Sequence, residues 1–268
     1  EEAMKLYQEV LDEGYRDPST FLSYSVLMIR NGQYAEAREL LVKNQKMPMT
    51  AQQKNQLFVN YAACVYKMGE LEKGIELLER QHQKQPSGMV YETLGYLYIE
   101  TGDAEKAMAF NMEALEYDDE DAITLDNLGQ LHYRLLGDKA TAKEYFEKAL
   151  ELKPGQIDTL YFLAKYDIEA GDTEAAKEKL ETALEGRFSP LNYASKEMVE
   201  ELLAGLKVGQ TYTVVETEAP AGFALMAPFV FTVEITDVPE TFRYFTATNC
   251  HVYRFRKLDS SNNGLVAG

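Results

Sequence analysis

Five glycines mark a recurring turn in this chain: Gly32 in NGQYAEA, Gly69 in MGELEKG, Gly102 in TGDAEKA, Gly137 in LGDKATA and Gly171 in AGDTEAA. Their spacings are 37, 33, 35 and 34 residues. Each is followed by an amphipathic run with alanine at helical spacing, and each is preceded by another such run. Residues 88–121 show the pattern most plainly, predicting helices over Tyr91–Thr101 and Asp103–Tyr117 joined at Gly102–Asp103. Small residues (Gly95, Ala107, Ala114) fall where two helices must touch, and Leu94, Tyr98, Phe110 and Leu115 fill the positions between them. A unit that recurs every 33 to 37 residues cannot bury its apolar face alone, so the expected architecture is a stacked array.

The period, together with a large–small–aromatic first helix and an Ala–aromatic–Ala second helix, resembles the tetratricopeptide repeat (TPR) family over residues 1–206. The fourth unit matches best, with Leu128–Gly129, Ala142, Phe146, Ala149 and Pro154 on consensus positions after one inserted residue before Gly137. The expected fold is mainly α, a TPR-type α–α superhelical solenoid with a short C-terminal partial β region. The units are read as a lone helix over residues 1–16, then Phe21–Arg30 with Tyr34–Asn44, Lys54–Met68 with Leu71–Lys84, and the unit at 88–121. Ala122–Leu136 with Ala140–Leu152 and Gln156–Ala170 with Thr173–Glu185 complete the array, and Ser195–Leu206 has the acidic outer face of a cap. Gly74 stands where the family prefers Ala, a weakness of about 1 kcal/mol by helix propensity.

After Lys207 the texture changes to alternating Val, Thr, Phe and Tyr with Pro and Gly, predicting strands near Thr211–Glu216, Phe229–Ile235 and Thr241–Thr248 in a second region, 207–268. YTVVETEAPAGF (Tyr212–Phe223) resembles the Cna-B-like (SpaA-type) β-sandwich domains of Gram-positive surface proteins. In that family the glutamate matching Glu216 assists an isopeptide bond between a Lys and an Asn or Asp. Asn249 is the acceptor candidate, while Lys257 lies in a segment that resembles the start of a following domain. No intact bond is therefore expected within this chain. The first helix lacks its partner and the end falls within a strand region, so the chain reads as interrupted at both ends.

Of the net charge of −17, about −16 precedes Lys207, which suits a solvated outer helix face and opposes nucleic acid or anionic lipid as partners. Trp is absent and Tyr numbers 18, so rings pack through phenols. Cys64 and Cys250 form no CxxC or Cys/His spacing, and Cys64 on an apolar face reads as a buried small hydrophobe. No apolar run reaches transmembrane length, and no signal peptide is visible.

His82, His132 and His251 are isolated, and no HExxH, Walker loop, GxGxxG or GxSxG appears. The run YDDEDA (Tyr117–Ala122) lacks a calcium-loop alternation and reads as a turn whose acids cap a helix. No catalytic residue, metal site or cofactor is expected. The TPR resemblance implies instead a concave groove, lined by first helices, that holds a peptide or helix of a protein partner. Carried over residue by residue, it places Tyr66, Lys67, Glu92, Tyr96, Asp126, Gln130, Tyr133, Arg134, Tyr161 and Lys165 there. Val59 and Ala63 occupy two positions where the carboxylate clamp of chaperone-binding members needs Lys and Asn. The expected function is a non-catalytic interaction scaffold, with a structural stalk of a cell-wall surface protein as the alternative. The first implies a cytoplasmic setting, the second a bacterial cell surface.

Overall fold

The computed structural model describes residues 2–15 and 17–207, together with the backbone of four short segments beyond them. The chain divides into two compact units, 1–199 and 200–268.

Among the described residues, twelve α-helices run through the first unit and into the second: α1 Glu2–Asp12, α2 Pro18–Arg30, α3 Tyr34–Asn44, α4 Ala51–Lys67, α5 Leu71–Lys84 and α6 Gly88–Glu100. They continue with α7 Ala104–Tyr117, α8 Ala122–Leu131, α9 Lys139–Leu152, α10 Ile157–Ala170, α11 Thr173–Leu184 and α12 Lys196–Lys207. From α2 to α11 they form five hairpins, and the first helices of successive hairpins lie side by side.

The turn chemistry explains the register. Gly102 and Gly171 adopt φ of about 80° and 81°, a left-handed conformation that closes a helix at no Cβ cost. The aspartate that follows then starts the next helix: Asp103 accepts from the Lys106 amide at 3.0 Å, Asp138 from Thr141 at 3.1 Å and Asp172 from Ala175 at 3.0 Å. One dipeptide thus ends one helix and begins its partner, which fixes the hairpin angle.

Within each hairpin the contacts are close. Ala107, Ala142, Ala149, Ala176 and Ala183 are fully buried, as are Leu94, Leu128, Phe146 and Leu180. A Cβ on Gly129 would stand 2.6 Å from Cε1 of Phe146, and one on Gly95 would run into the Asn111 side chain. Gly74 is a milder case: its Cβ would approach the Ala62 carbonyl and Val65 Cγ2 at 3.3 Å each, a tight but not forbidden distance. Its backbone therefore packs directly on α4, a role that propensity alone did not indicate. Cys64 is buried as its apolar setting suggested, and burial pushes its thiol up to about 12.

Several boundaries differ from expectation, among them the start of α2 at Pro18 rather than Phe21, where Asp17 caps the helix. The α4 helix starts three residues earlier than Lys54 because Thr50 and Gln53 form a reciprocal capping box. The α6 helix likewise begins at Gly88 rather than Tyr91. The helix expected to be continuous over Ala122–Leu136 changes at His132 into a π-helical segment, His132–Leu136. That segment absorbs the inserted residue, since a π turn takes one residue more than an α turn. Asp121 caps α8 by accepting from Ile123 and Thr124, in keeping with a turn of capping acids.

Beyond α12, Thr211–Val214 pairs antiparallel with Phe229–Thr232, and Phe242–Thr246 with Val252–Arg256. Glu216, Asn249, Cys250, His251 and Lys257 lie outside the described residues, as do the remaining parts of the strands expected there.

The close contacts make a direct prediction. Gly129→Ala should lower stability by about 1–3 kcal/mol through overpacking against Phe146. Gly155→Ala, with nothing within 4 Å, should change it by less than about 0.5 kcal/mol. Urea unfolding followed by circular dichroism compares the two, and equal midpoints would remove the packing argument.

Candidate peptide-binding groove

The first helices bring polar side chains into one connected chain. Tyr66 on α4 donates to Glu100 Oε2 at 2.6 Å and lies 3.5 Å from the Tyr96 hydroxyl. Glu100 Oε1 pairs with Arg134 Nη2 at 2.8 Å, and Arg134 Nη1 donates to Gln130 Oε1 at 3.0 Å. Gln130 in turn donates to Asp126 Oδ2 at 2.7 Å, while Thr159 on α10 donates to Asp126 Oδ1 at 2.6 Å. Arg134 sits on the π-helical segment, so the inserted residue lies within the stretch that carries the network's cation.

A second group is aromatic and cationic. Lys165 lies 5.2 Å from the centroid of Tyr133 and 5.5 Å from that of Tyr161. Lys67 is exposed beside its neighbour Tyr66, 4.9 Å from the ring centroid. Tyr96, Asp126, Gln130 and Tyr161 are buried, whereas Tyr66, Tyr133, Arg134 and Lys165 keep part of their surface open. Glu92 stands apart from both groups, with Asp121, Lys153 and Asp118 as the charges that act on it.

Burial dominates the electrostatics. It pushes the Tyr66 hydroxyl up to about 12, helped by Glu100, and raises Tyr96 as well. Asp126 and Asp158 are both fully buried and both raised by loss of solvent; the Asp158 charge raises Asp126 further, while donated amide bonds work against the shift in Asp158. Burial followed by repulsion from Asp121 pushes Glu92 up to about 7.

The segment between α11 and α12 was not anticipated in the groove. Gly186 passes so close to α10 that a Cβ there would lie 2.8 Å from Ile157 Cδ1. The chain then forms a strap over residues 187–195. A turn closes it, with the Asn192 amide donating to the Ser189 carbonyl at 2.9 Å and the Ser189 amide to Asn192 Oδ1 at 2.8 Å. Asp158 takes three bonds from the strap: Ala194 N at 2.9 Å, Tyr193 N at 3.1 Å and Asn192 Nδ2 at 3.2 Å. The Tyr193 ring stacks on Phe162 with centroids 5.2 Å apart, and the Arg134 guanidinium lies 4.1 Å from its centroid. Leu191 packs against both main core clusters of the array. The sequence signal was a connector much longer than the hairpin turns, carrying Pro190, Leu191 and Tyr193 where connectors are ordinarily polar.

Among the described residues, no cluster of three or more His, Cys, Asp or Glu side chains has metal-binding geometry, and no helix is long and apolar enough to cross a membrane.

The fold defined by these hairpins is a mainly helical repeat solenoid. Residues 90–121 and 134–191 match two family models, each described as a tetratricopeptide repeat. Among solved structures, the hetero-tetramer Cut9–Hcn1 of the APC/C is similar at a TM-score of 0.57 and 19% identity, over 76% of this chain and 39% of that one. The present chain thus spans about two-fifths of that relative's length. TTC0263, a thermophilic TPR protein of Thermus thermophilus, is similar at a TM-score of 0.57 and 18% identity, over 71% of this chain and 98% of that one. At such identities these likenesses concern the fold alone. None of these matches is to a Cna-B-like domain, and no curated protein matches the chain significantly.

Glu92 supplies the next prediction. An unfolded glutamate titrates at about 4.3, and in the fold Glu92 is pushed up to about 7. Between those values the folded chain holds a proton that the unfolded chain has released. Stability therefore falls as pH rises through the window and stays lower above it. Glu92→Gln should raise Tm at about pH 8 relative to the parent and lose that advantage at about pH 4.5. A difference independent of pH would sink the assignment.

Proposed function

We propose that this protein is a non-catalytic scaffold that binds a segment of a partner protein along the groove formed by its first helices. Tetratricopeptide repeats generally mediate protein–protein interactions, and proteins built of them are typically non-catalytic. One observation carries the reading from family to site: the groove already holds an irregular peptide segment, its own strap. It grips that segment by backbone amides on Asp158 and by a ring on Arg134. A surface able to hold a strap in this way has the chemistry to hold a foreign one.

Tyr66 and Tyr133, which keep part of their surface open, suit such recognition, since a phenol combines a large apolar face with a hydroxyl at low entropic cost. Lys67 and Lys165 give the rim a positive character that the surrounding acidic array lacks. The same acidic array disfavours nucleic acid as a partner. Val59 and Ala63 are buried apolar residues, so the site has no lysine–asparagine pair with which to clamp a terminal carboxylate.

The reading is tested by selecting peptides from a displayed random library on the intact chain. Selected peptides should bind Lys165→Ala and Lys67→Ala about tenfold more weakly, a loss of roughly 1.4 kcal/mol. They should bind Glu147→Ala, altered on the exposed side of α9, as tightly as the parent. Equal affinity for all three variants would place binding outside the groove.

A further inference from the structure

Three features of the strap set it apart from an ordinary connector. It buries apolar side chains in the array, its Pro190 and Ala194 being buried and its Leu191 and Tyr193 half-buried. It satisfies both oxygens of a buried carboxylate, Asp158, through two consecutive backbone amides. And it stops short of filling the groove. Beyond Ser189, Pro190 and Leu191 an open cleft of about 150 Å³ remains, bounded by Val26, Arg30, Gln56 and Asn60.

We propose that residues 187–195 are an internal ligand of the groove, displaced by a partner segment of like chemistry that enters from the cleft beside Leu191. This rests on the groove-binding reading above and specifies its ligand class and its regulation.

The chemistry of the occupied site defines the replacement. Asp158 is buried and accepts on both oxygens, so an occupant must bring N–H donors to it; proline at the position of Tyr193 or Ala194 lacks one. An occupant must also place an aromatic ring between Phe162 and Arg134, where Tyr193 now lies. An acidic side chain at that point would face Asp158, Asp126 and Glu100, three carboxylates already held in a buried site. The matching partner segment is therefore turn-forming, with an apolar residue two positions before an aromatic one and without acids between them. Leu191–Asn192–Tyr193 has this pattern.

Tethering sets the threshold for displacement. A segment joined by a short linker competes at an effective concentration on the order of millimolar, so weak partners are excluded while the strap is seated.

The test uses a fluorescein-labelled peptide with the sequence of residues 187–195 and the intact chain. The parent should bind it poorly. A chain with Leu191→Ser and Tyr193→Ser, which loosens the strap and leaves the groove unaltered, should bind it at least tenfold more tightly. Adding Arg134→Ala to that background should remove the gain. Hydrogen exchange on the unaltered chain gives an independent readout. The Tyr193 and Ala194 amides should exchange at least tenfold faster than those of Leu128 and Phe162, because the strap opens without unfolding the helices. Exchange of all four at one common rate overturns the inference, as does equal peptide affinity in parent and loosened chain, which leaves the groove reading standing. The groove reading itself falls only with the library selection described above, so the two failures are distinguishable.

Discussion

Three of the five hairpins bring their two helices together at a glycine, where no Cβ stands between them. Gly95 faces Asn111, Gly129 faces the Phe146 ring, and Gly74 faces the α4 backbone. Such contacts recover dispersion energy that a looser arrangement would forgo, and at Gly95 and Gly129 they leave no room for a Cβ. The glycine–aspartate turns serve this approach by closing one helix and capping the next within two residues. With the hairpin angle set, the first helices are left side by side, and their remaining faces become the groove.

The first helices gather charge. Asp126, Asp158 and Glu100 are drawn together with Arg134 as the cation that pairs with Glu100 and lies over the strap's ring. Buried carboxylates are costly unless they are hydrogen-bonded. Here Asp126 is satisfied by Gln130 and Thr159, and Asp158 by the strap. Removing the strap without a substitute would leave Asp158 without those three donors. The strap meets that requirement with two backbone N–H groups and one side-chain amide.

The inserted residue before Gly137 shows how a local irregularity reaches the site. It lengthens one repeat to 35 residues, and the helix accommodates it by widening to a π turn over His132–Leu136. The hydrogen bond that closes the hairpin consequently spans from Asp138 to His132, six residues back, where its counterparts from Gln33, Glu70 and Asp172 span five. Arg134 lies inside that widened turn.

The sequence by itself determined the hairpins, their order and most of their boundaries, because turn glycines and alanine spacing are local signals repeated five times, with a capping aspartate after three of the five glycines. The family resemblance placed Tyr66, Tyr96, Gln130, Asp126 and Arg134 on first helices, and in the structure Glu100 joins Tyr66 to Arg134 to complete a hydrogen-bonded chain through them. The sequence showed Gly74 through helix propensity alone, and a propensity scale is blind to the close approach of the Ala62 carbonyl and Val65 to the missing side chain. It gave no account of which groove residues stay open to solvent, because the burial of Tyr96, Asp126 and Gln130 depends on neighbours far along the chain. Only the tertiary structure decided that residues 187–195 lie in the groove. Bonds from residues 192–194 to Asp158 span more than thirty positions and follow no periodicity, and a contact of that kind leaves no mark in a local pattern.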